Sequence, residues 1–189
     1  MNQKKRQLLL AISLLSIYLS SWAKEIPHQI WNQLKELRGI PTQSDLSQPT
    51  LYVFIDPNCP VCADLWKKQV NGKPFNELPA MWLPISHMGN GSLGKAAELL
   101  RSGRKEDMQR NFMKFNRSKR QGGLPGVTPT SAERAALAAA KALWTELGGA
   151  TPMFLYRTKQ GEARLFLGLP PEPRFADLVA SMLLPSTSH

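Results

Sequence analysis

The chain has 189 residues, of which 42% are apolar, 20% charged, 15 Pro and 13 Gly, the balance of one ordinary globular domain. That composition excludes a disordered tail and a collagen-like repeat. Lys and Arg outnumber Asp and Glu by 24 to 14, a net charge of +10, while two cysteines are too few for a disulfide-dense scaffold or a four-thiolate zinc site.

Residues 1–23 have the layout of a secretory signal peptide: Lys4, Lys5 and Arg6, then a 12-residue mostly apolar run from Leu8 to Leu19, then Ser21-Trp22-Ala23 with small residues for cleavage. A membrane span needs about 20 apolar residues, and this run is shorter and interrupted by Ser13 and Ser16. Cleavage leaves 166 residues with 21 basic and 14 acidic groups, a basic protein outside the cytosol with no stable membrane anchor.

Residues 24–49 read as an amphipathic helix and a linker. Ile26, Ile30, Leu34 and Leu37 recur at helical spacing, so the helix is expected over 26–38, and Gly39 and Pro41 stop the pattern. The apolar stripe is expected to fold back on a core. Residues 42–50 are a polar connector, and Leu51–Ile55 is a continuous β-branched and aromatic run, the signature of a central strand covered on both faces. Asp56-Pro57-Asn58 turns the chain, and residues 59–70 resume helical spacing with Cys62, Leu65 and Trp66.

Met81 to Ser86 reads as a second strand. Helices are expected at about 92–102, 104–117 and 131–147, with a loop over 118–129. The last helix has the clearest ends, a capping box at Thr130 and Glu133 and a stop at Gly148-Gly149. Met153–Arg157 and Glu162–Leu167 are short strands joined by a hairpin-like link, and Phe175 to Leu184 is a closing helix. The order β, α, β, helices, β, β, α gives an α/β fold with one sheet, with residues 50–189 as a single catalytic domain.

Both cysteines fall in Cys59-Pro60-Val61-Cys62, where a buried strand becomes a helix. The first turn of a helix directs unpaired N–H groups and a partial positive charge outward, so a thiolate on Cys59 is stabilised there. Pro60 suits the first helical position because it has no N–H to leave unpaired. Cys62, one turn inward, can displace a mixed disulfide, so Cys59 is the attacking thiol and Cys62 the resolving one. A bridge across two residues is a poor staple, because disulfide stabilisation grows with loop length. A metal site would need further ligands, and His28, His87 and His189 do not stand at zinc-like spacing. A copper-handling site using Met81, Met88 or Met153 is the metal alternative, with packing the ordinary role of those residues.

Tyr52 to Cys62, with Ala63-Asp64-Leu65-Trp66 after it, resembles the catalytic segment of the periplasmic thiol-disulfide interchange proteins of the DsbG and DsbC type, closest to DsbG. Gly149-Ala150-Thr151-Pro152-Met153-Phe154 is similar to that family's Thr-cis-Pro loop, and Gly168-Leu169-Pro170 with the following helix to its C-terminal segment. The resemblance implies a thioredoxin-like fold with a helical insertion, here about 92–147, preceded by a short N-terminal helix. It implies that Thr151 and Pro152 shape the client groove, and that Pro60 and Val61 tune the active site. It also implies a membrane thiol reductase as electron donor, exported proteins with oxidised or mispaired cysteines as clients, and no cofactor.

Two departures modify these expectations. Val61 replaces the aromatic residue that DsbG carries in the dipeptide. Only about 26 mature residues precede the first core strand, so most of the family's N-terminal dimerisation domain is missing, which predicts a monomer with weaker isomerase and chaperone activity.

Other signals read as structure. Gly89, Gly91 and Gly94 spell a dinucleotide-like G-x-G-x-x-G, better explained as a flexible turn because the first strand of the sheet lies elsewhere. Residues 101–120 hold eight basic residues against Glu106 and Asp107, interleaved with Phe112 and Phe115, the pattern of a solvated helix face rather than a nucleic-acid site. The function expected is that of a periplasmic thiol-disulfide oxidoreductase. The rival is a redox-silent binding or assembly module, which would keep its partner after Cys59→Ala, or a copper chaperone, which would bind metal only when reduced.

Overall fold

The structure, a computed structural model, describes residues 23–42, 46, 48–70, 78–89 and 91–183. The expected signal segment up to residue 22, and His189, lie outside the described residues. Among the described residues no helix is long and apolar enough to cross a membrane.

Along the described chain run β1 (Lys24–Glu25), α1 (His28–Glu36), β2 (Ile40–Pro41), β3 (Leu51–Ile55), α2 (Pro60–Val70), β4 (Ala80–Pro84), α3 (Ser92–Ser102), α4 (Lys105–Met113), α5 (Ser131–Glu146), β5 (Met153–Arg157), β6 (Ala163–Leu167) and α6 (Glu172–Ser181). The strands make one sheet in the order β1-β6-β5-β3-β4-β2. β3 and β4 are parallel, an arrangement that needs a long crossover, and α2 lies within it. The other pairings are antiparallel, with β5 and β6 forming a hairpin.

The burial of β3 explains its composition. All five of its residues are buried because both faces of the sheet are covered. Leu51, Val53 and Ile55 face Leu65 and Trp66 of α2, Phe112 of α4 and Phe175 of α6, whereas Tyr52 and Phe54 face Trp31 and Leu34 of α1 and Leu143 of α5. Successive strand residues point to opposite faces, so a strand between two layers must be apolar at every position. The stripe on α1 does fold back on the sheet, where the Trp31 and Tyr52 rings meet edge to face at 5.2 Å.

Several boundaries differ from the sequence expectation. α1 spans His28–Glu36, shorter at both ends than 26–38, because Ile26 donates its backbone N–H to Ala163 O and so continues the β1–β6 ladder. β1 and β2 have no counterpart among the expected elements. At two residues each they carry no periodicity, and Pro41 is tolerated because β2 lies at the sheet edge. β4 begins one residue early and ends at Pro84, and β6 begins at Ala163. α4 stops at Met113 rather than 117, where Asn116 and Gln121 pair in an isolated bridge. α6 starts at Glu172 and ends at Ser181, with Pro173 accommodated in its first turn, where a missing N–H costs nothing.

The capping box on α5 is complete: Glu133 N–H donates to Thr130 Oγ1 at 3.2 Å and Thr130 N–H donates to Glu133 Oε2 at 2.8 Å. The helix stops where Gly148 and Gly149 adopt φ of 117° and 65°. Thr130→Ala is expected to lower the unfolding free energy by about 1 kcal/mol, read as a lower denaturant midpoint at unchanged slope. An unchanged midpoint would show that the cap contributes nothing.

Candidate active site

The turn after β3 is built around a buried carboxylate. Asp56 accepts hydrogen bonds from the backbone N–H of Asn58 (2.7 Å), His87 (2.7 Å) and Met88 (3.0 Å), and from the Ser92 hydroxyl (2.8 Å). Its own carbonyl accepts from Cys59 N–H at 3.0 Å. Asn58, also buried, accepts from Gly122 N–H at 3.0 Å and donates to Gly89 O at 3.3 Å, while the Asn111 amide donates to Pro57 O at 2.9 Å. Lys95 donates its ammonium to Gly122 O. Burial lowers the Lys95 pKa and the nearby Asp56 charge opposes that effect. The strand-to-helix turn is therefore held from three sides, by the β4–α3 loop, by α4 and by the chain around Gly122.

On that turn the two cysteines differ sharply. Both are free, buried thiols, and Pro60 is the first residue of α2. Cys62 N–H donates to Cys59 Sγ at 3.3 Å. The Cys59 pKa is brought down to about 7, chiefly by the hydrogen bond from the Cys62 side chain, with help from the Thr151 side chain and the backbone N–H groups of Cys62 and Val61, and against the opposing effect of burial. Cys62 is pushed well above the ordinary thiol range, first by burial, then by its hydrogen bond to Cys59 and the Cys59 charge. The start of α2 thus places two buried sulfurs together, one with a lowered pKa and one with a raised pKa.

The far half of the chain supplies the facing wall. The Thr151-Pro152 peptide bond is cis, and the Cys59 thiol donates to Thr151 O at 3.5 Å. Pro152 is buried and its carbonyl accepts from Gly168 N–H at 2.8 Å. Trp144 Nε1–H donates to Ala150 O at 2.6 Å, which fixes the approach to this loop. The His87 ring lies on Trp144 with centroids 4.8 Å apart, and its Nε2 is 3.0 Å from Thr151 Oγ1. Val61 and Leu167 are apolar yet 39% and 44% exposed.

Cys59, Cys62, Thr151 and Pro152 are thus brought to one place, with Pro60 and Val61 on the turn of α2 that carries the thiols. His28 stays apart on α1, beside Asn32. Asp56, Asn58, His87, Ser92 and Trp144 also surround this turn and the Thr151-Pro152 loop, and the sequence alone does not place them there. The turn signal Asp56-Pro57-Asn58 is the one local hint, since Asx side chains bond nearby backbone. Among the described residues no group of three or more His, Cys, Asp or Glu is placed to hold a metal ion.

The glycine triplet has a structural explanation. A Cβ on Gly94 would lie 2.7 Å from Val127 O, so α3 passes this loop too closely for any side chain, while Gly91 caps α3 with φ of 78°. Four of the eight basic residues of 101–120 form ion pairs, Arg101 with Glu133, Arg104 and Arg110 with Asp107, and Arg117 with Asp64, while Phe112 and Phe115 are buried.

No family model matches the chain, and no curated protein matches it. Solved structures do. A periplasmic thioredoxin-like protein from Salmonella enterica serovar Typhimurium superposes with a TM-score of 0.58 at 20% identity, covering 83% of this chain and 97% of that one. ScsC from Proteus mirabilis, in a transitional conformation, gives 0.56 at 14% identity over 93% and 88%. The thiol-disulfide exchange protein α-DsbA2 from Wolbachia pipientis gives 0.52 at 16% identity over 81% and 91%. The fold is thioredoxin-like, with α3, α4 and α5 lying between β4 and β5.

Proposed function

We propose that the protein is a periplasmic thiol-disulfide oxidoreductase of the reductase or isomerase type, acting on cysteines of exported proteins through Cys59 and Cys62. The observation that carries this reading is the asymmetry of the pair: a Cys59 sulfur with a pKa of about 7 in front of a buried Cys62 held as a thiol. The Cys59 thiolate attacks one sulfur of a client disulfide, forming a mixed disulfide and expelling the other client sulfur as a thiolate, which takes up a proton. Bonding Cys59 into the mixed disulfide removes its negative charge, and with it part of what kept Cys62 protonated. Cys62 then loses its proton and attacks Cys59 Sγ, the client thiolate leaves, and two electrons have passed from the dithiol to the client.

Thr151 and Pro152 offer the backbone against which an extended client lies, and Val61 and Leu167 give it an apolar rim. The periplasmic setting is supported by the signal-like residues 1–23 and by the periplasmic Salmonella protein of the same fold. The nearer likeness to DsbG rests on the segments Tyr52–Trp66 and Gly149–Phe154. Return to the dithiol requires a reductant, for which a membrane thiol reductase has the right chemistry.

Strongly oxidising dithiols carry an attacking thiol near pKa 3.5 and thioredoxin one near 7, so a Cys59 at about 7 favours the reducing end of the scale. Equilibration in glutathione and dithiothreitol buffers, read by alkylation and mass spectrometry, is expected to give a midpoint between about −180 and −270 mV. A bridge that resists reduction to below about −300 mV would be structural and would overturn the reading.

A further inference from the structure

His87 is linked to the reacting pair through Thr151 and not by a hydrogen bond of its own to either sulfur. Its backbone N–H is fixed on Asp56 Oδ2 at 2.7 Å and its ring lies on Trp144, so Nε2 is held 3.0 Å from Thr151 Oγ1. Trp144 in turn holds Ala150 O, the carbonyl just before Thr151, so both sides of the contact are fixed by one indole. Thr151 itself touches Cys59, whose thiol donates to the Thr151 carbonyl at 3.5 Å. A free hydroxyl can rotate, and a thiolate gains from it only if its proton points at the sulfur.

We infer that His87 is a positioning residue for Cys59, acting through Thr151: the imidazole Nε2–H donates to Thr151 Oγ1, which turns the Thr151 hydroxyl proton toward Cys59 Sγ and holds it there as the thiolate forms. The Thr151 side chain is also among the groups whose hydrogen bonds lower the Cys59 pKa. The arrangement is a three-residue chain, imidazole to hydroxyl to sulfur, assembled from the loop after β4, the loop before β5 and the start of α2. It rests on the exchange reading proposed above, because an oriented donor matters only if Cys59 reacts as a thiolate.

The test is the pH dependence of the rate at which iodoacetamide alkylates Cys59 in the reduced protein, followed by mass spectrometry, with Cys62 left in place. His87→Ala is expected to cut the Cys59 thiolate fraction at neutral pH about threefold, the effect of one modest hydrogen bond. His87→Gln keeps an N–H donor at the Nε2 position and is expected to restore the wild-type midpoint. In a Thr151→Val background, which removes the hydroxyl and keeps the shape, His87→Ala is expected to have no further effect. Asp56, Lys95 and Cys62, the other ionisable groups packed on this turn, are untouched in every variant.

An unchanged midpoint in His87→Ala, or a change of the same size with and without the Thr151 hydroxyl, overturns the inference while the exchange reading stands. A wild-type Cys59 that titrates as an ordinary thiol overturns both.

Discussion

Cys59→Ser is expected to bring disulfide exchange down to the uncatalysed background, and Cys62→Ser is expected to stop it one step later. The two outcomes differ because the sulfurs differ. In the Cys62→Ser variant the Cys59 thiolate still attacks but nothing expels the client, so a covalent adduct at Cys59 accumulates and is lifted by dithiothreitol. In the Cys59→Ser variant no adduct forms, since the Cys62 thiol is held well above the ordinary range, where little thiolate is present. Non-reducing electrophoresis with a disulfide-containing client, followed by peptide mapping, distinguishes them. An adduct on Cys62 in the Cys59→Ser variant would reverse the assigned roles.

The same asymmetry sets the pH profile of the wild type. Reaction follows the thiolate, so the alkylation rate of Cys59 is expected to climb about tenfold per pH unit below about 7 and to level off above it. Cys62 should stay unreactive across that range. A profile still climbing steeply at pH 9 would mean that the hydrogen bonds around Cys59 do not lower its pKa.

Asp56→Ala is expected to be among the most destabilising single changes in the chain, costing about 3 kcal/mol or more. Removal of the carboxylate strands the N–H groups of Asn58, His87 and Met88 and the Ser92 hydroxyl in a buried site, and leaves the Lys95 ammonium without its nearby anion. Asp56→Asn keeps one acceptor oxygen but turns N–H groups toward donors, so an intermediate loss is expected. Denaturant unfolding of the reduced proteins measures both. A loss below about 1 kcal/mol for Asp56→Ala would show that the turn is held by its other bonds.

Local sequence was enough where one segment carries its own cause. Leu51–Ile55 is apolar at every position and is a central strand; Thr130 and Glu133 cap the helix they predict; Cys59-Pro60-Val61-Cys62 falls where a strand ends and Pro60 opens a helix. The position of the thiol pair was legible because it sits at a helix start, and a helix start is a local event.

The rest depended on distance along the chain. β1 and β2 exist only because β6 and β4 offer edges to pair with, so two residues with no periodicity become strands. Asp56 looked like a turn residue and is a buried hub, because its partners at 87, 88 and 92 arrive from the far end of β4. His87 was one isolated histidine in the sequence, and the register of β3 beside β4 and β5 carries it to Thr151. The sequence alone determined which atoms can do redox chemistry and on what kind of turn they sit. Only the tertiary structure decided which side chains aim hydrogen bonds at them, because those bonds close contacts between segments that no local pattern connects.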